Sequence, residues 1–138
     1  MIKGILLAAG QSKRLKNHNK LLKKFKNKEL ILHSFKSIQK SKINQIIIVL
    51  GYQSNEIKKL IKKNKKIKFV FNKKYKYGIS SSIKAGLKKI NKKDRGFIIL
   101  QSDMPYVKTS DINKIYKSIK RKKYLIHALN HKNRIGNP

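Results

Sequence analysis

The alternation of two apolar patterns along the chain restricts its fold more than any other feature of the sequence. Short runs of mostly apolar residues, ended by glycine or by polar residues, lie at 2–9, 46–50, 67–71, 97–100 and 124–129. Runs of this length are typical of strands that are buried on both faces of a sheet. The segments between them carry apolar residues at helical spacing. The chain therefore predicts an α/β domain with a doubly wound, mostly parallel sheet and helices on both faces.

Four helices are predicted between these strands, over 30–38, after Ser54, over 79–90 and after 109. Ser54 is predicted to cap the second helix, and Thr109 or Ser110 the fourth. Asp111 would then lie in a first helical turn, where the helix dipole favours a negative charge.

Nothing in the sequence marks a second domain, because no repeat, linker or change of composition divides its 138 residues. A single domain over 1–138 is therefore predicted. The chain has no cysteine, which excludes disulfides and thiolate metal sites. Its longest apolar stretches, 4–10 and 43–51, are too short to span a bilayer, and the first residues lack the pattern of a signal peptide. A cytoplasmic protein with no membrane partner is expected.

The formal net charge of +32 raises the alternative of a lysine-rich nucleic-acid-binding protein. Arginine, which makes the two-pronged contacts that read bases, occurs only at Arg14, Arg95, Arg121 and Arg134. The lysines are spread over predicted helices and loops instead of forming one stripe. This distribution favours a solvated lysine coat and predicts no specific nucleic-acid partner.

The stretch after the first strand has the composition of a phosphate-binding loop. Its small residues would let backbone N–H groups approach a phosphate, and its glycine would permit the turn. Ser12 adds a hydroxyl donor, Arg14 a forked cation and Lys20 a point charge. The residues predicted to bind phosphates here are Leu7, Ala8, Ala9, Gly10, Ser12, Arg14 and Lys20.

Two further polar clusters follow predicted strands, where ligands of parallel sheets bind. Asp103 follows the strand at 97–100 and is placed to hold Mg²⁺ against phosphate oxygens. A glycine and three serines open the helix at 79–90 and offer hydroxyl and free N–H groups to a ligand. The candidate residues of this second cluster are Gly78, Ser81 and Ser82. The four histidines, in contrast, show no metal-ligand spacing, and His33 is expected to be structural.

These motifs resemble those of nucleotidyltransferases, and in particular of molybdenum cofactor cytidylyltransferases. The shared segments are Leu-Ala-Ala-Gly-x-Ser-x-Arg from Leu7, the serine segment from Gly78, and Gly136-Asn137-Pro138. Two positions depart from the usual pattern, since Lys16 stands where glycine is common and Asn19 where proline is common. The resemblance covers essentially the whole chain. It also implies that the chain stops before elements that in this family supply a second metal-binding aspartate.

The resemblance implies a Rossmann-like nucleotidyltransferase that binds CTP with Mg²⁺ and transfers CMP to a molybdopterin acceptor. Catalysis would then fall to Lys20 and Arg14, with Asp103 on the metal. Asn72, which follows the third strand, would lie near the nucleotide base. An alternative is a nucleotidyltransferase that acts on a sugar phosphate or polyol phosphate. If the chain lacks the family's later elements, it is expected to bind CTP but to turn over weakly.

Overall fold

The computed structural model describes residues 1–12, 18–121, 126, 130–131 and 134–135. Its strands are β1 (Ile2–Ala8), β2 (Lys24–Phe25), β3 (Lys28–Glu29), β4 (Gln45–Leu50), β5 (Ile67–Phe71), β6 (Gly96–Gln101), β7 (Asn130–His131) and β8 (Arg134–Ile135). Its helices are α1 (Leu30–Gln39), α2 (Ser54–Leu60), α3 (Ile79–Leu87) and α4 (Thr109–Arg121), with 3₁₀ turns at Lys20–Leu22 and Tyr75–Tyr77. The strands β1, β4, β5 and β6 therefore match the first four predicted strands to within one residue at each end.

The central sheet confirms the predicted α/β fold class. Its four strands run in the order β5-β4-β1-β6, and every neighbouring pair is parallel. The chain builds outward from β1 to β4 and β5, and then crosses to the other side of β1 to add β6. In sheets of this kind a crevice opens beyond the carboxyl ends of the strands where the order reverses. In this chain that point lies between β1 and β6.

Alternate residues of the inner strands pack on opposite faces of the sheet, as the pleat of a strand requires. On one face, α1, α2 and α4 cover Leu6 and Ile48, and on the other α3 covers Ile5 and Val49. All four of these strand residues are completely buried. Burial on both faces explains why the strands are continuous apolar runs in the sequence.

A short hairpin was not predicted from the sequence. Strands β2 and β3 pair antiparallel around Lys26 and Asn27, whose φ angles are 48° and 65°. Two left-handed residues in succession make the two-residue turn that suits hairpin twist, although the chain places no glycine there. The aromatic ring of Phe25 meets the ring of His33 edge-on at 5.5 Å, and His33 Nε2 lies 2.7 Å from the carbonyl oxygen of Phe25. His33 has the structural role that was expected.

The predicted helix caps were wrong. The N-cap of α2 is Gln53, in a left-handed conformation with φ 49°, and Ser54 already lies inside the helix. Thr109 begins α4, but its hydroxyl donates to the carbonyl of Ser37 and so ties α4 to α1. Asp111 does lie in the first turn of α4, where its carboxylate accepts the N–H of Lys108. The start of α4 therefore combines a local contact from Asp111 with a tertiary contact from Thr109.

Several predictions fall outside the described residues. These are the fifth strand at 124–129, the phosphate role of Arg14 and the Gly136-Asn137-Pro138 segment. Within the described residues, no helix is both long and apolar enough to cross a membrane.

A buried ion pair joins β1 to the loop before β6. Lys3 Nζ lies 2.7 Å from Asp94 Oδ2, both side chains are almost fully buried, and Lys3 also donates to the carbonyl of Lys89. The hydrogen bond from Lys3, together with that from the N–H of Asn91, holds the pKa of Asp94 below its ordinary value of 3.8.

This pair predicts an acid-sensitive fold. Because the folded state keeps Asp94 ionised where the unfolded chain binds a proton, the stabilisation is complete above the unfolded pKa and is lost as pH falls through the lower folded pKa. We expect the melting temperature to decline as pH drops below about 4, the range in which free aspartate titrates. In circular dichroism melts, Asp94→Asn should have a lower melting temperature than the unchanged protein at neutral pH. Its melting temperature should also fall less steeply as the pH drops below about 4. An equally steep fall in the two proteins would contradict this role of Asp94.

Candidate active site

A cleft of about 460 Å³ opens at the carboxyl edge of the sheet, between β1 and β6. Its walls come from the loop after β1, the 3₁₀ turn at Lys20–Leu22, the turn before α3 and the residues that follow β6. The lining residues are Leu7, Ala9, Gly10, Gln11, Ser12, Lys20, Leu21, Tyr75, Lys76, Gly78, Ile79, Ser82, Gln101, Ser102 and Asp103. The three motifs singled out in the sequence therefore converge on one cleft, at the position that the sheet order predicts.

The loop after β1 is closed by the hydroxyl of Ser12. Ser12 Oγ accepts the backbone N–H of Lys20 at 3.0 Å, and Ser12 itself adopts a left-handed conformation with φ 51°. The hydroxyl proton of Ser12 stays able to donate to a ligand, since the bond to Lys20 uses only an oxygen lone pair. A Cβ added at Gly10 would have no atom of the described chain within 4 Å, apart from its immediate chain neighbours. The loop thus presents backbone to the cleft.

Lys20 and Asp103 face one another across the cleft, 83 residues apart in sequence. Lys20 Nζ lies 3.3 Å from Asp103 Oδ2, with the two side chains 51% and 37% exposed. Neither charge is buried, so each is accessible to a ligand that enters the cleft. Asp103 is the only acidic residue among those that line the cleft, against two lysines, Lys20 and Lys76. The described part of the cleft therefore favours an anion.

Asn19 fixes the backbone on the other side of Lys20. Asn19 is almost fully buried, with 3% of its surface exposed. Its Oδ1 accepts the N–H of Leu21 at 3.0 Å, and its Nδ2 donates to the carbonyl of Tyr52 at 3.4 Å. Asparagine at this position, where proline is common in the resembled family, supplies the rigidity of the turn by hydrogen bonds and not by a ring.

Asn72 lies behind the cleft and does not line it. Its Nδ2 donates to the hydroxyls of Ser81 and Ser82 at 2.9 and 3.1 Å, and its Oδ1 accepts the N–H of Lys74. With the side chain 5% exposed and both ends of its amide bonded, Asn72 pins the start of α3 to the end of β5. The structure thus gives Asn72 a supporting position, and its contact with a nucleotide base stays a prediction.

The serine segment divides between lining and support. Ser82 lines the cleft, whereas Ser81 Oγ lies 2.8 Å from the carbonyl oxygens of both Lys74 and Gly78. Gly78 precedes α3 with φ 89°, a conformation that glycine adopts without strain. It lets the chain turn into the helix beside the cleft.

Ala8 also differs from its predicted place. It is completely buried in β1, opposite Leu50 of β4, and packs in the core below the cleft. Ala9, which was predicted together with Ala8, does line the cleft. The two alanines differ because successive residues of an extended chain point to opposite sides.

Sequence reasoning missed the wall formed by Tyr75, Lys76 and Ile79. The available signal was their position after β5, since all the carboxyl ends of a parallel sheet share one edge. A 3₁₀ turn carries the first two residues back toward β1, and no periodicity in the sequence marks such a turn.

The residues present fit a Mg²⁺ ion that reaches the cleft with phosphates. Among the described residues no group of three histidine or acidic side chains could hold a metal by itself. Mg²⁺ commonly binds through one or two carboxylates and completes its shell with substrate phosphates and water. Asp103 supplies one carboxylate, exposed in the cleft and next to Lys20.

Comparison with known proteins places this architecture in a family. A family model described as a MobA-like NTP transferase domain matches residues 4–138. The bifunctional protein GlmU of Clostridioides difficile is 26% identical over 137 residues, covering 99% of this chain and 28% of its own length. The chain thus spans little more than a quarter of that curated relative.

Two solved structures share the fold. Rv0371c of Mycobacterium tuberculosis, solved in complex with manganese, superposes with a TM-score of 0.66 at 18% identity and covers 84% of this chain and 58% of its own. The inositol-1-phosphate CTP transferase of T. maritima superposes with a TM-score of 0.60 at 21% identity and covers 73% and 43%, respectively.

Proposed function

Because the chain belongs to the MobA-like NTP transferase family, we propose that it transfers a nucleotidyl group from CTP to a phosphorylated small molecule. The observation that carries this proposal is the meeting of Lys20 and Asp103, 3.3 Å apart, in a cleft bordered by the Gly10 loop. A cation, a metal-binding carboxylate and open backbone in one place are the parts that phosphoryl transfer requires.

The reaction balances as a simple displacement. An oxygen of the acceptor phosphate attacks the α-phosphorus of the nucleotide, and a new phosphorus–oxygen bond forms. The bond from that phosphorus to the bridging oxygen breaks, and pyrophosphate leaves with the electron pair. Lys20 stabilises the charge that develops on the phosphate oxygens, and the exposed loop backbone beside Gly10 orients the phosphates. Bound Mg²⁺, held by Asp103, would supply further positive charge to those oxygens.

Molybdopterin is the acceptor that the sequence resemblance favours. The serine segment from Gly78 carries that resemblance, and Ser82 of this segment lines the cleft. A polyol or sugar phosphate is the second candidate, since the similar solved structure from T. maritima is named for inositol-1-phosphate and CTP. Both acceptors present a phosphate monoester, so the same displacement serves either one.

An assay of pyrophosphate release tests the proposal on the purified chain. Each of the four common ribonucleoside triphosphates is paired with molybdopterin, inositol-1-phosphate and hexose-1-phosphates, with Mg²⁺ present. We expect release with CTP and one acceptor class, and CTP affinity measured by calorimetry even where turnover is weak. Absence of CTP binding, together with strong salt-dependent binding of DNA, would support the nucleic-acid alternative and remove the proposed one.

Gly10→Ala offers a direct test of where the phosphates bind. Among the described residues other than its chain neighbours, a methyl group at Gly10 meets no atom, and it adds volume at the edge of the cleft. We expect a melting temperature close to that of the unchanged protein. CTP affinity should fall about tenfold or more, because the loss of close backbone approach removes a hydrogen bond to a charged phosphate, worth roughly 1.5–3 kcal/mol. Calorimetric titration with CTP measures the effect. Undiminished affinity would place the triphosphate elsewhere.

A further inference from the structure

Ser34 is buried in α1 and uses its hydroxyl outside its own helix. It is completely inaccessible to solvent, and its Oγ lies 3.0 Å from the carbonyl oxygen of Ser102 and 3.0 Å from that of Met104. Serine in a helix commonly bonds the carbonyl one turn earlier in the same helix. Here the hydroxyl instead reaches the segment that follows β6.

The two carbonyls that Ser34 contacts are those on either side of Asp103. A hydroxyl has one proton, so the two bonds share it in a three-centre arrangement. The geometry brings both carbonyls toward one point and sets the backbone turn between them. Asp103 lies at the middle of this turn, with its own side chain free to face the cleft.

The segment that follows β6 is also bonded to β1, at Ser102. The backbone N–H and the hydroxyl of Ser102 both donate to the carbonyl of Leu7, at 3.2 and 2.7 Å. The hydroxyl of Ser34 therefore completes a set of bonds that fixes Asp103 relative to the strand that leads into the Gly10 loop. Ser34 itself does not line the cleft.

We propose that Ser34 is a positioning residue for the metal site, which it acts on through the backbone on either side of Asp103. This inference rests on the proposed function, because it takes Asp103 as the metal-binding carboxylate. A single protein carboxylate leaves the ion with few fixed ligands, so its placement depends on how firmly that carboxylate is held. Groups that orient metal ligands typically change metal affinity by 10–100-fold when they are lost.

Ser41 provides a matched control for the loss of a buried hydroxyl. It is 6% exposed and its Oγ donates to the carbonyl of Ile38 at 2.6 Å. It follows α1 and precedes β4, so it lies at the amino edge of the sheet, opposite the cleft. Ser41→Ala removes the same chemical group from the same core as Ser34→Ala, far from Asp103.

The test compares the two variants by the binding of Mn²⁺ in the presence of saturating CTP, with free Mn²⁺ followed by electron paramagnetic resonance. Both variants should have a lower melting temperature than the unchanged protein. We expect Ser34→Ala to weaken Mn²⁺ binding about 10-fold or more, whereas Ser41→Ala should leave it within about twofold. Affinity for CTP without metal should stay the same in both, since no phosphate contact is lost. Ser34→Cys keeps the size and a weak donor, and an intermediate Mn²⁺ affinity is expected for it.

Two results would overturn the inference, and they differ from one another. If the unchanged protein binds Mn²⁺ with CTP and Ser34→Ala binds it equally well, Ser34 serves only the fold. If the unchanged protein binds CTP but no Mn²⁺, the metal role of Asp103 fails and the inference fails with it. Should Ser34→Ala not fold, Ser34→Cys gives the answer, because unchanged Mn²⁺ affinity in that folded variant would also count against positioning.

Discussion

Lys20→Ala is expected to lower the rate of pyrophosphate release by two or more orders of magnitude while leaving the fold intact. Removal of one preorganised contact to transition-state charge costs roughly 3 kcal/mol, which corresponds to a factor of more than a hundred. The side chain is about half exposed and makes its one described ion pair with Asp103, so little packing is lost. Single-turnover release of pyrophosphate at saturating CTP and Mg²⁺ measures the effect on the chemical step.

Lys24→Ala is the matched control for Lys20→Ala. Lys24 is an exposed lysine of β2 and does not line the cleft, so both variants lower the net charge by the same amount. Its turnover should stay near that of the unchanged protein. The ion pair also predicts an effect on metal binding. Because Lys20→Ala removes the positive charge beside Asp103, this variant should bind Mn²⁺ without nucleotide at least as tightly as the unchanged protein does. Normal turnover in a well-folded Lys20→Ala protein would exclude Lys20 as the catalytic cation.

Asp103→Asn is expected to abolish metal-dependent turnover, the second of the two large effects. The two side chains are nearly the same size, and the amide keeps an oxygen ligand but loses the charge that a hard divalent cation prefers. Because Asp103 is the only acidic residue that lines the described cleft, no neighbouring carboxylate is placed to replace it. Calorimetric titration with Mg²⁺ and CTP, compared with CTP alone, isolates the contribution of the metal.

Asp111→Asn is a suitable control for this substitution. Asp111 accepts the N–H of Lys108 at the start of α4 and does not line the cleft. The same loss of charge there should affect stability and leave the Mg²⁺ dependence of CTP binding unchanged. Equal binding of Mg²⁺ and CTP by Asp103→Asn and the unchanged protein would make Asp103 a turn residue and nothing more.

The sequence alone was sufficient to predict the sheet and the edge at which the cleft opens. Strands buried on both faces are mostly apolar, and the runs at the inner strands β1 and β4 therefore stand out against a lysine-rich chain. The edge strands β5 and β6 are only partly buried but are also mostly apolar. In a parallel sheet every strand ends at the same edge, so the polar residues that follow the strands were expected to lie where ligands bind. The structure brings Lys20 and Asp103 together at that edge.

Two polar residues took tertiary partners that sequence reasoning did not predict. Thr109 donates to the carbonyl of Ser37 in another helix. Asn72 donates to two serines of α3 and accepts the N–H of Lys74. A buried polar side chain takes whichever partner lets every donor and acceptor be satisfied, and that choice is not encoded within a few residues. The sequence therefore showed that these residues were polar and well placed, but not which partners they bind.

Only the tertiary structure decided which polar residues face the cleft and which support it from behind. Ser34 lies in the middle of an amphipathic helix, where sequence reading finds an ordinary small residue, and it bonds to chain that lies 68 and 70 residues away. Lys3 lies within the first apolar run, where its charge is paired with Asp94, a residue distant in sequence that precedes the neighbouring strand β6. Periodicity reports which face of an element is buried, since that depends on neighbours along the chain. The identity of a hydrogen-bond partner depends instead on how separate elements pack, and that is fixed only when the whole core assembles.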